Sequence, residues 1–151
     1  MVFCGLPLLV APVRAQIVTL SDLNSSAQIN TQFGDLDGGM FNWSVDGINQ
    51  LGRQWFWYAI GPNTNQLPIN TLGAPTVVTP NAATAHITYH GGLITAQVNY
   101  VSTGGAMGSR SSALNESVHV VNTSNETLPL RFYQYSDFNL IAVTRCSFTG
   151  T

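Results

Sequence analysis

Aromatic residues are concentrated between Met40 and Ile60, a segment that holds all three tryptophans of the chain, two phenylalanines and a tyrosine. They form two short runs on either side of a polar Asp46-Gly47 turn region. Aromatic and β-branched residues at this density suit a pleated, largely buried surface better than a solvated helix. The segment therefore predicts two strands around a turn, and it contains no recognisable catalytic grouping.

Similar short segments recur along the rest of the chain, separated by turn residues. We predict nine strands, at residues 16–20, 27–33, 40–46, 53–60, 75–79, 83–90, 93–101, 112–121 and 128–135. No window of helical length carries an apolar stripe of helical period. Regularly spaced short strands are typical of antiparallel sandwiches and barrels. We expect an all-β chain folded as an antiparallel β-sandwich, of jelly-roll or immunoglobulin-like topology, and incomplete at its C-terminus.

One hairpin is predicted in detail, with a two-residue turn at Gly91-Gly92. With His90 opposite Leu93, one face receives the mainly apolar pairs Tyr89–Ile94, Ile87–Ala96, Ala85–Val98 and Ala83–Tyr100. The other face receives the polar pairs Thr88–Thr95, His86–Gln97 and Thr84–Asn99. A slip of one residue would scramble both faces, so the pattern predicts one face in the core and one in water.

The charge of the chain excludes one large class of partners. Charged residues make up only 8% of the sequence, against roughly 25% in ordinary soluble domains, and lysine is absent. The net charge is −2 and the five arginines are scattered, so no basic patch indicates nucleic-acid binding. Asn, Gln, Ser and Thr must make the surface polar, which suits extracellular bacterial adhesive or structural β-proteins.

The N-terminus resembles an export signal. Phe3 to Val13 is an apolar run of suitable length, and Val13-Arg14-Ala15 before Gln16 resembles a cleavage site. The run is too short to span a bilayer. We therefore expect residues 1–15 to be a signal peptide without its basic beginning, 16–140 to be the sandwich domain, and 141–151 to be a divergent or truncated tail. The alternative is that the run stays in the mature protein as a first strand.

Catalytic and metal-binding patterns are not found. The sequence has no GxSxG elbow and no HExxH motif, and Cys4 and Cys146 lack a CxxC spacing. His86 and His90 would share a strand face but lie roughly 13 Å apart, too far to bind one zinc ion. Asp35-Leu36-Asp37-Gly38 resembles the start of a calcium loop but lacks the remaining ligands. We expect a non-enzyme without cofactor or metal.

The aromatic run allows a binding hypothesis. Alternation places Trp55 and Trp57 on one side of their strand and Phe56 and Tyr58 on the other. If one set is exposed, its rings could stack on sugars or on an apolar partner surface. The candidate ligand-binding residues are Trp55, Trp57, Tyr133 and Tyr135. The favoured alternative is a central strand covered on both faces.

Two segments carry a family resemblance: NWSVDGINQLGRQWFWYAIG and the later ESVHVVNTSNETLPLRFYQYSDFNL. Over roughly residues 16–140 the chain resembles uncharacterised bacterial exported proteins that often end in a PEP-CTERM sorting signal. The resemblance implies a secreted or surface-sorted β-sandwich of unknown activity, with no catalytic residues to carry over. Residues after Leu140 depart from the family pattern, so we expect a truncated or frame-shifted reading frame.

Two classes of function follow from these observations. The first is a non-catalytic structural or assembly protein, exported to the cell surface or beyond, whose edge strands pair between subunits. The second is a carbohydrate-binding module that uses the aromatic residues of strand 53–60. The expected partners are accordingly further copies of the chain or a surface polysaccharide, and neither nucleic acid nor a membrane span is expected.

Overall fold

A computed structural model describes residues 16–32, 38–62 and 65–139. The signal-like residues 1–15, Asp35 and Asp37 of the acidic turn, the tail 141–151 and both cysteines lie outside the described residues. Every described residue belongs to the predicted domain 16–140.

The described residues form eleven strands in two antiparallel sheets, so the predicted β-sandwich is confirmed. In spatial order the first sheet contains β1 (Ile17–Asp22), β2 (Ser25–Asn30), β3 (Gly39–Val45), β5 (Leu51–Ile60) and β11 (Leu130–Phe138). Two short strands extend it: β4 (Ile48–Asn49) beside β3 and β6 (Leu67–Pro68) beside β5. The second sheet has the order β10 (Ser112–Asn122), β9 (Ile94–Gly104), β8 (Thr84–His90) and β7 (Thr76–Asn81).

All nine predicted strands overlap observed ones, while β4, β6 and a short 3₁₀ turn at Ile69–Leu72 were not predicted. The core lies between the sheets and is built by alternation: β2, β8 and β9 each bury every second residue. Its largest fully buried aliphatic side chains are Leu20, Ile29, Met40, Leu51, Ile69, Ile87, Ile94 and Val98.

The predicted hairpin has the correct faces but the wrong register. Ala85, Ile87 and Tyr89 of β8 are buried, as expected, but Ile87 lies opposite Val98 and Tyr89 opposite Ala96. The pairing is shifted by two residues, because four residues, 91–94, separate the paired His90 and Thr95 where two were expected. The N–H of Gly91 donates to the carbonyl of Ile94, the first residue of β9, at 2.9 Å. A shift of two leaves every side chain on its own face, so the apolar pattern could not detect it.

The Asp46-Gly47 turn is confirmed as a two-residue connection between Val45 and Ile48, which pair directly. Both turn residues have positive φ, 50° for Asp46 and 77° for Gly47, as a tight hairpin turn requires. The turn therefore brings the Asp46 carboxylate to one end of the sandwich.

Gly39 is required where β3 lies against its neighbour β5 in the first sheet. Its φ is 82°, and an added Cβ would overlap the backbone oxygen of Gln54 and lie 2.5 Å from Cε3 of Trp55. We expect Gly39→Ala to lower the free energy of unfolding by about 2–3 kcal/mol, through backbone strain and overpacking. Urea denaturation measures this loss.

Gly92→Ala is the matched control, because Gly92 lies outside the positive-φ region and has no heavy atom within 4 Å of an added Cβ. It should leave the midpoint of unfolding almost unchanged. Equal losses in the two variants would mean that β3 does not approach β5 as closely as described.

Candidate functional site

The strand β5 is covered on both faces near its middle. The consecutive residues Gln54, Trp55 and Phe56 are all buried, as the favoured alternative predicted. Trp55 is only 2% exposed, and its ring packs edge-on against Tyr89 of the other sheet, with centroids 6.4 Å apart. Trp55 therefore does not present its ring to a ligand in this structure.

The other three candidate rings lie together at the surface. Trp57 pairs with Tyr133 across β5 and β11, and it packs edge-on against Tyr135 with centroids 6.4 Å apart. Trp57 and Tyr133 are half-buried, whereas Tyr135 is 53% exposed. We call Trp57, Tyr133 and Tyr135 the aromatic cluster. On the opposite face of the same strands, Phe56 packs against Phe132.

His86 takes part in a polar ladder on the outer face of the second sheet. Nδ1 of His86 is hydrogen-bonded to Oδ1 of Asn99 at 2.6 Å, and Nδ2 of Asn99 donates to Oγ of Ser117 at 3.3 Å. Within the described ranges, no group of three or more His, Cys, Asp or Glu side chains is placed to hold a metal ion.

Asp46 of the aromatic segment fixes a loop. Its Oδ1 accepts the N–H of Gly108 at 2.6 Å, and its Oδ2 accepts the N–H of Arg110 at 2.7 Å and Nδ2 of Asn24 at 3.0 Å. The bond from Gly108 is the main cause of the lowered pKa of Asp46. The carboxylate thus holds the β9–β10 loop against the end of the first sheet, which is a structural role.

One side of the sandwich is bordered by two long edge strands. β10 ends the second sheet and β11 ends the first, and their side chains meet where Gln134 donates to Glu116 at 3.1 Å. Among the described residues, no strand pairs with the outer edge of either. We call this side, formed by β10 and β11, the open side.

The inner face of β10 is incompletely covered at the open side. Val118 lies opposite the buried Val98 and so points inward, yet it is 37% exposed. Leu114 and Val120 share that face and are half-buried, as are Phe132 and Phe138 of β11. Apolar side chains aimed at the core thus remain partly in contact with water.

A carboxyl group is enclosed between the two sheets at the open side. Oε2 of Glu116 accepts hydrogen bonds from the side-chain amides of Gln54 and Gln134. Its Oε1 is buried and has no hydrogen-bond partner in the described part of the chain. Tyr100, the cross-strand neighbour of Glu116 in β9, is 2% exposed. The side chain of Glu116 therefore combines a polar link between the sheets with an unsatisfied oxygen.

Burial has the largest effect on the pKa of the Glu116 carboxyl group. It raises the pKa of Glu116 from 4.5 to about 7, against the opposing effect of the two amides. Burial, followed by the charge of Glu116, also raises the pKa of Tyr100. No sequence motif marks Glu116, although its alternation with Leu114 and Val118 was a usable signal that it points inward.

Comparisons of the chain with family models, curated proteins and solved structures find no match. Over the residues with described positions, no helix is long and apolar enough to cross a membrane. A functional hypothesis for this protein therefore rests on its own geometry.

Proposed function

We propose that this protein is a non-catalytic structural protein of the cell surface or extracellular space that assembles through its open side. The observation that carries the proposal is that two long edge strands, one from each sheet, lie on the same side of the sandwich, with partly exposed apolar side chains between them. Exposed strand edges offer unpaired N–H and C=O groups to a further strand, which is how β-strand addition joins chains.

The two sides of the sandwich differ in how their edges are protected. β7 carries Pro80 and an irregular register between Val78 and Asn81, both of which discourage pairing with another chain. β1 is tied to the second sheet, since the N–H of Ser21 donates to the carbonyl of Ala82 at 2.8 Å. Protection of this kind is typical of edges that do not pair.

The open side is less protected along its described length. A register shift occurs where β11 meets β5 at Asp137 and Phe138, but the extra residue lies in β5, and Glu116 is the one inward-pointing acidic residue of β10. β10 has eleven residues and β11 has nine, and neither contains proline or lysine. A strand laid against them would satisfy their backbone groups and cover Val118 and its apolar neighbours. Both effects favour association, and the low charge of the chain leaves little repulsion to oppose it.

Export of the protein is part of the same proposal, and the signal-like N-terminus and the uncharged polar surface support it. A carbohydrate-binding role is less well supported, because burial of Trp55 leaves Tyr135 as the one strongly exposed ring of the four candidates. That role would not account for the apolar inner face at the open side.

The test is sedimentation of the full chain over a range of micromolar concentrations. We expect reversible self-association of the wild type. Val118→Lys should abolish it, because an inward-pointing charge on an edge strand would be buried in any joined sheet.

Val121→Lys is the matched control, since Val121 is on the outer face of the same strand and 44% exposed. It makes the same substitution but leaves the new charge in water. Cooperative thermal unfolding of both variants checks that they fold. A wild type that stays monomeric throughout, or equal weakening by the two lysines, would overturn the proposal.

A further inference from the structure

The edge strand β11 is complementary to itself. Its sequence, LRFYQYSDF, has Gln134 at the centre, and three of the four pairs of residues equally distant from Gln134 match in charge or apolar character; the exception is Phe132 with Ser136. Building on the proposed function, we propose that the partner at the open side is a second copy of this chain, paired antiparallel through β11 with Gln134 on the two-fold axis.

Charges match across such a pair. Arg131 would lie opposite the partner's Asp137, and Asp137 opposite the partner's Arg131, so the symmetric interface contains two opposite-charge pairs. Arg131 and Asp137 share one face of β11, as residues that meet across an antiparallel ladder must. Opposite charges in directly facing positions stabilise strand pairing, and like charges there destabilise it.

The aromatic and apolar residues match in the same register. On the face of Arg131, Tyr133 would lie opposite the partner's Tyr135, giving two further aromatic pairs. On the inner face, Leu130 would lie opposite the partner's Phe138. Leu130 is 36% exposed and Phe138 half-buried in the single chain, so the pairing would remove apolar surface from water.

Other registers lose these matches. Moving the axis to Tyr133 or Tyr135 keeps each face intact but separates Arg131 from the partner's Asp137. An axis placed between two adjacent residues of β11 would set the inner-face side chains of one copy opposite the outer-face side chains of the other. Gln134 is thus the centre that satisfies charge, aromatic and apolar pairing together.

The second edge strand fits the same axis. Glu116 contacts Gln134, so an axis that crosses both sheets at Gln134 passes close to Glu116, near the middle of β10. The two β10 strands would therefore also face each other edge to edge, with Leu114 near the partner's Val118. One isologous interface would then close both open edges of each copy.

Cysteine cross-linking tests the register. In a background with Cys4→Ser and Cys146→Ser, Gln134→Cys should form a covalent dimer in most chains under mild oxidation, because residue 134 faces its own copy. The matched control is Tyr135→Cys, whose copies would lie roughly 8 Å apart, beyond the range of an unstrained disulfide. It should give little covalent dimer.

Charge reversal provides a second, independent measurement. Arg131→Glu should weaken the dimer about tenfold or more, because it places two like-charged pairs across the interface. Arg110→Glu makes the same charge change at an exposed loop position, away from β11, and should leave association unchanged. Cooperative unfolding of each variant checks the fold.

The outcomes separate the two proposals. Preferred cross-linking at 134 together with weakening by Arg131→Glu supports the β11 pair. The β11 interface is wrong if the wild type associates but positions 134 and 135 cross-link equally. It is also wrong if Arg131→Glu and Arg110→Glu have the same effect on association. Neither result contradicts the proposed self-association itself. A strictly monomeric wild type overturns both.

Discussion

Replacing Ile87 by Asp is expected to unfold the domain. Ile87 is 1% exposed and lies opposite Val98, which is equally buried, so the new carboxylate would enter an apolar core without a partner. The expected cost is about 4 kcal/mol or more, a large share of the stability of a domain this size. Circular dichroism and urea titration of the purified variant measure it.

Thr88→Asp is the matched control, one residue along the same strand. Its side chain lies on the outer face opposite Gln97, where water solvates a charge. We expect a loss below about 1 kcal/mol. Similar sensitivity at positions 87 and 88 would show that β8 is buried on both faces, contrary to its alternating burial.

The stability of the protein should fall as pH rises from about 4.5 to about 7. Burial raises the pKa of Glu116 to about 7 in the folded chain, while the unfolded chain keeps the ordinary value of 4.5. Between these values the folded protein retains a proton that the unfolded protein has released, so raising the pH favours unfolding. The full loss, reached above pH 7, is about 3 kcal/mol.

Glu116→Gln should remove this dependence and stabilise the protein above pH 7, since the amide keeps the shape of the side chain without a charge. Glu126→Gln, at an exposed position in the β10–β11 loop, is the matched control and should follow the wild type. Urea midpoints measured across the pH range test both. Parallel pH profiles for wild type and Glu116→Gln would contradict the enclosed carboxyl group.

Local patterns in the sequence were sufficient to predict nine of the eleven strands and, for many of them, which face is buried. Alternation of apolar and polar residues identified the buried side of β8 and β9, because side chains of a strand point to opposite faces with a period of two. It could not select between registers two residues apart, since both keep Ile87 and Val98 in the core. The register was decided by the number of residues, four, that separate the paired His90 and Thr95.

Burial of the aromatic strand depended on its neighbours in space. Composition predicted that residues 53–60 form a strand, but Trp55 and Phe56 point to opposite faces and both proved buried. A strand sequence carries no signal for what covers each of its faces when both are apolar. The sequence favoured a strand covered on both faces, but the partner that covers Trp55, Tyr89 of the other sheet, is visible only in the tertiary structure.

The sequence by itself determined the all-β class and the approximate positions of nine strands. Only the tertiary structure decided that β10 and β11 end their sheets on the same side, and that Gln54 and Gln134 meet around Glu116. The physical reason is that strand order and contacts between sheets join residues far apart in the chain. Hydrophobic periodicity, in contrast, records only which way each side chain points.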